Sequence, residues 1–168
     1  MINITQSNGW GSLHPLVVHF PIALLFVVPP FIALGLIVPQ LRKAFYICAL
    51  ILILLGTAGI FFAVSTGDSA AEPLSNDPAV TATLNNHVRF AEQSRLNFSV
   101  LGILFFLYVI SHTFTQKRLG KFDPAVVFIF LIIYTWNLAL IFNAAHYGGR
   151  LVHRHGIKSA FYLDSPNK

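Results

Sequence analysis

The residues of this chain best suited to chemistry are its seven histidines. Six of them, His14, His19, His87, His146, His153 and His155, begin, precede or follow apolar segments in a way that gathers them at one end of the molecule. Imidazole is the commonest protein ligand for transition metals and serves haem iron, and helical bundles build cofactor sites from side chains projecting inward from facing helices. The seventh, His112, falls at the opposite end of its segment, where an amphipathic ring suits a membrane interface. Other signatures are missing from the sequence: there is no Gly-rich phosphate loop and no H-E-x-x-H zinc motif. The single cysteine, Cys48, excludes a disulfide framework and covalent C-x-x-C-H haem attachment, so any haem is held non-covalently.

Among the six, His19 is the strongest candidate ligand, because it lies about one turn inside the first apolar segment, where an unpaired polar group is costly. His14 precedes Pro15 and reads as a helix N-cap, as a group supporting a ligand, or as a ligand itself. His87 reaches the same site if its helix is continuous. His146 shares a helical stripe with Thr135, Ala139, Phe142 and Asn143, whose small and polar members suit a face turned toward other helices. His153 and His155 straddle Arg154 in a tail that must fold back over the bundle to take part. A second feature is the stripe Gly56, Gly59, Ala63 and Gly67, at spacings of three and four residues. Such stripes commonly let two membrane helices approach closely; the sharper reading is a flat macrocycle lying against them. The candidate metal ligands are thus His14, His19, His87, His146 and His155, and the candidate cofactor contacts are Gly56, Gly59, Ala63 and Gly67.

The elements that must position these residues are membrane spans. At 55% hydrophobic and 10% charged residues, with a mean hydropathy of +0.69, the chain is far from the soluble norm of about 25% charged. A span needs about 20 apolar residues, so four spans occupy nearly all of the 168-residue chain as one domain, 1–168. The expected fold is all-α: an integral membrane four-helix bundle with spans near 15–38, 44–64, 93–114 and 124–145. The first closes at Pro39, and Pro29-Pro30 is expected to kink it. The third is preceded by a helix start at Asn76 or Asp77, giving either one long helix or a short interfacial helix ahead of the span. The fourth opens with Asp123 as N-cap and Pro124, and is expected to end at Tyr147-Gly148-Gly149. The first ten residues carry no Lys or Arg, so the first segment is expected to be retained as a helix rather than cleaved as a signal peptide.

Net charge of +5 and a pI near 9.7 do not mark a nucleic-acid binder, because the basic residues are scattered around apolar segments. They act as topology signals. The two short turns carry Arg42, Lys43, Lys117, Arg118 and Lys121 against Asp123 alone, which places them in the cytoplasm. Both termini and the histidine end are then expected to face the periplasm or cell exterior.

The segment from His14 to Leu24, HPLVVHFPIAL, together with His87 and the segment GGRLVHRHG from Gly148 to Gly156, resembles the bacterial membrane family called domain of unknown function 2231. The resemblance spans residues 14 to about 157. Members of that family are small four-span proteins, some joined to periplasmic c-type cytochrome domains, which implies a redox setting. It also implies His14, His19, His87 and His155 as site positions; His146 rests on the helical argument alone, and His153 stands where the family carries an aromatic residue.

These features together predict a b-type cytochrome-like electron carrier with one or two haem b groups, each held by two imidazoles from different helices. Its partners would be a periplasmic cytochrome c or a larger respiratory complex, with quinol as a donor. On this expectation His19→Ala removes a low-spin haem spectrum and His112→Ala does not. The alternatives are a cofactor-free structural or assembly subunit and a metal-handling protein. Copper(I) handling is disfavoured by a single methionine, Met1, and transport by the lack of embedded Asp, Glu, Lys or Arg of the kind that marks ion pathways within the spans.

Overall fold

A computed structural model describes residues 10–74, 78–114 and 123–157. A single-turn helix at Trp10–Leu13 leads into α1 (His14–Val17), α2 (His19–Ile37), α3 (Arg42–Ala71), α4 (Pro78–Phe114) and α5 (Asp123–His153). The described residues contain four helices long and apolar enough to cross a membrane, spanning Trp10–Ile37, Pro39–Ala71, Pro78–Ser111 and Pro124–His153. Helix α2 packs on α3 and α5, and α4 packs on α3 and α5, so the four long helices close a ring around one core. Its outward faces carry large apolar side chains, among them Trp136, Leu16 and Ile37. That is the surface a bilayer solvates.

Each long helix buries one stripe. On α2 it is Pro21, Leu25, Val28, Ile32 and Gly35 at spacings of three and four; on α3 it includes Tyr46, Ile53, Gly56, Gly59 and Ile60. With hydrocarbon outside as well as inside, helices in lipid associate by close packing and hydrogen bonds rather than by hydrophobic burial. Small residues permit the close packing. A Cβ on Gly56 would come within 2.6 Å of Leu25 Cγ, one on Gly59 within 3.2 Å of Phe20 and Pro21, and Gly35 backs directly onto the ring of Tyr46. Hydrogen bonds supplement it. Asn97 donates to the Asn137 side chain at 2.7 Å, joining α4 to α5, and Thr57 donates to the Phe98 carbonyl at 3.4 Å, joining α3 to α4.

The proline pair has a specific solution. Pro29 lacks the N–H that would bond the carbonyl of Leu25, and the hydroxyl of Tyr134, whose side chain is fully buried on α5, donates to that carbonyl at 3.1 Å. Helix α2 is helical through Pro29 and Pro30, and the first span has a separate interruption at Val18, three residues before Pro21. Tyr134→Phe keeps the ring and strands the carbonyl, and is expected to cost about 1–3 kcal/mol. Thermal unfolding in detergent checks this, and an unchanged midpoint would contradict it.

One open sequence expectation is resolved and one is revised. Helix α4 is continuous over 37 residues, which resolves the choice at the third span in favour of one long helix. Helix α5 does not stop at Gly148-Gly149 but runs to His153, and the turn after it closes with Gly156 at φ 68 while the Leu151 and Val152 carbonyls accept from Ile157 and Gly156. A glycine inside a helix costs on the order of 1 kcal/mol but does not end it; the left-handed Gly156 does. Asn76, Asp77, Lys117, Arg118 and Lys121 lie outside the described residues, as do the side chains of His112 and Asp123.

Candidate functional site

The histidine end of the bundle is built from the start of the first span inward. Gly11 lets the opening turn lie directly on α3, since a Cβ there would fall 2.8 Å from the backbone nitrogen of Ala70. Trp10 adds a hydrogen bond to Ser65 at 3.4 Å. This docking aims His14 at α3. The residue before α1 is Leu13, with no side-chain cap, so His14 is not the N-cap. Its Nδ1 lies 2.9 Å from the Ala63 carbonyl and 3.2 Å from the hydroxyl of Thr66, itself buried and donating to carbonyls of its own helix. A carbonyl only accepts, so Nδ1 carries the proton.

His87 repeats the arrangement on the other side. Because α4 is continuous, His87 stands on its first turns facing α5, and its Nδ1 donates to the Ala144 carbonyl at 2.8 Å. In the neutral state of both rings, Nε2 is therefore the unprotonated nitrogen. The two rings meet with centroids 6.0 Å apart and planes at 85°. Each sits on a glycine: a Cβ on Gly67 would come within 3.0 Å of the His14 ring, and one on Gly148 within 3.1 Å of the His87 ring. Beside them Phe90 stacks on Tyr147 at 5.7 Å, and the Arg150 guanidinium lies over the Tyr147 ring at 5.6 Å.

The other candidates are placed differently. His155, half-buried, pairs its Nε2 with the Thr83 hydroxyl at 3.1 Å, so the segment after α5 does fold back, onto α4. His19, His146 and His153 are exposed. His19 lies two residues before Pro21 and so points away from the stripe that α2 buries. The stripe of His146 is likewise outward, with Thr135, Ala139 and Phe142 exposed, while α5 buries Val127, Tyr134, Leu138 and Ile141. The inference from small and polar residues failed there because inside and outside are equally apolar in a membrane, so composition alone does not mark the inward face. The glycine stripe divides: Gly56 and Gly59 serve helix contact with α2, whereas Ala63 and Gly67 belong to the seat of His14.

Several participants carried no clear mark in the sequence. Thr66 and Thr83 are ordinary in type, and the carbonyls of Ala63 and Ala144 are backbone. Gly148 was legible as a helix stop and as part of the GGRLVHRHG segment, not as the seat of a ring. No group of three or more His, Cys, Asp or Glu side chains able to share a metal occurs among the described residues. The center is thus a pair of imidazoles from two helices, each with Nδ1 held by a backbone carbonyl, so that Nε2 is the accepting nitrogen of the neutral ring.

The model of a family described as Predicted membrane protein (DUF2231) matches residues 11–160. Neither a curated protein nor a solved structure matches the chain.

Proposed function

The chain belongs to the family described as Predicted membrane protein (DUF2231), and on that premise we propose that it is a b-type cytochrome-like electron carrier holding non-covalent haem b through His14 and His87. The observation that carries this reading is the His14–His87 pair itself. The two rings come from different helices and lie 6.0 Å apart by centroid, and each is held at Nδ1 by a backbone carbonyl. Hydrogen bonds from Nδ1–H to backbone carbonyls are the usual support of ligating histidines, fixing the tautomer and raising ligand basicity. A tetrahedral zinc or copper center asks the protein for three or four ligands, whereas a porphyrin supplies four itself and asks for two.

When bound, the haem supplies a one-electron iron couple; the chain's own residues hold and orient it. Ala63 and Ala144 fix the two rings, Gly67 and Gly148 leave room for those rings against the helices, and Arg150 offers a cation to propionate carboxylates. Gly56 and Gly59 take no part, since Leu25, Phe20 and Pro21 already fill the space over them. The charged turn at Arg42 and Lys43 favours placing the histidine end on the periplasmic side of a bacterial inner membrane. A periplasmic cytochrome c or a larger respiratory complex is then the acceptor, and quinol the donor.

A second reading has its own support. His14 ties α1 to α3, His87 ties α4 to α5, and His155 ties the segment after α5 to α4. Three histidines that each bridge two elements also suit a cofactor-free structural or assembly subunit. Oxidised and reduced absorption spectra of the purified chain, with iron and porphyrin assays, separate the two. The electron-carrier reading expects a Soret band that shifts on reduction; a colourless, iron-free preparation overturns it. Because His19 is exposed, His19→Ala is now expected to leave that spectrum unchanged, in contrast to the sequence expectation.

A further inference from the structure

The face between α3 and α4 carries a groove of about 570 Å³ lined by Phe61, Glu92, Gln93, Arg95, Leu96 and Ser99. Its charges are already matched: Arg95 and Glu92 form an ion pair at 2.6 Å, and the guanidinium lies over the Phe61 ring at 5.6 Å. Both charged side chains are about 40% and 38% exposed, so they remain open to a ligand. Glu92 and Arg95 stand where the apolar stretch of α4 begins, so the pair borders the membrane interior.

We propose that this groove binds the headgroup of a membrane quinone or quinol. An anionic lipid phosphate would seek an unpaired cation, and Arg95 is neutralised; a neutral headgroup with two oxygens fits a neutral wall that both donates and accepts. The Arg95 guanidinium and the Gln93 amide donate to a quinone oxygen, and the Glu92 carboxylate accepts a quinol hydroxyl. Phe61 and Leu96 supply the apolar wall. The groove opens onto Leu96, Val100, Ile103 and Leu107, exposed at spacings of four, three and four along α4, a path for an isoprenoid tail. Glu92 lies five residues past His87, roughly 7–8 Å along the helix. As an entry point for electrons the groove rests on the electron-carrier reading; headgroup binding does not.

The test is equilibrium binding of a short-chain ubiquinone analogue to the purified full chain in detergent, with absorption spectra recorded on the same samples. Leu96→Trp, which fills the groove from an exposed position, and Gln93→Leu, which removes the amide donor to the quinone oxygen, are each expected to weaken binding by about tenfold or more. Ile132→Trp, an exposed change on α5 outside the groove and the tail path, is expected to leave it unaltered and controls for folding. Absence of saturable binding, equal affinity in all variants, or competitive displacement by phosphatidylglycerol would overturn the proposal. Saturable binding to a colourless protein would sustain the groove while removing the haem.

Discussion

His87→Ala is expected to lower haem retention by on the order of 100-fold or more and to convert any iron that remains from low spin to high spin. His14→Ala should do the same, because the two rings are the only imidazoles in contact with each other among the described residues. Neither change should unfold the bundle. Each ring spans two helices through a single hydrogen bond to a backbone carbonyl, worth about 0.5–1.5 kcal/mol net, while the core of Leu25, Val28, Ile53, Phe98 and Tyr134 lies elsewhere. Haem content per purified chain is the measurement. Full retention in both variants would contradict the ligand assignment, and loss of folding without a change in colour would favour the structural-subunit reading.

The second large effect is on the bundle. Gly56→Leu puts a branched side chain where even a Cβ would sit 2.6 Å from Leu25 Cγ, between two helices that have no room to separate without losing the contacts of Gly59 with Phe20 and Pro21. Overpacking of this kind costs about 1–3 kcal/mol or more. Gly149→Ala is the matching control. Nothing lies within 4 Å of a Cβ at that position, so the change is expected to be neutral or to stabilise α5 by up to about 1 kcal/mol through helix propensity. Thermal unfolding of both variants in one detergent tests the pair. Equal midpoints would mean that Gly56 is not a helix-contact residue and would return the macrocycle reading to that face.

The spans were legible because bilayer thickness demands long apolar runs, and runs are visible in one dimension. The gathering of histidines was legible for a related reason: once the spans are drawn, each loop and terminus is assigned to an end. What a single sequence hides is rotation about each helix axis. His19 and His146 were favoured from depth and from stripe composition, and both face outward, because hydrocarbon outside the bundle erases the polar-out, apolar-in contrast that orients helices in water. Of the three roles open to His14, only capping is excluded: the close docking of Gly11 on Ala70 turns its ring toward α3. His87 depended on whether α4 was one helix, which propensity near Pro78 left open. The pairing of Pro29 with Tyr134 was invisible, since it joins residues 109 apart in the chain.

The account depends on one iron sharing Nε2 of His14 and His87, and electron paramagnetic resonance of the oxidised chain reads that directly. A low-spin ferric signal with hyperfine coupling to two histidine nitrogens, shown by ¹⁵N-histidine labelling and lost in both His14→Ala and His87→Ala, is the predicted result. A chain without a ferric signal, or one whose signal survives both substitutions, would contradict it.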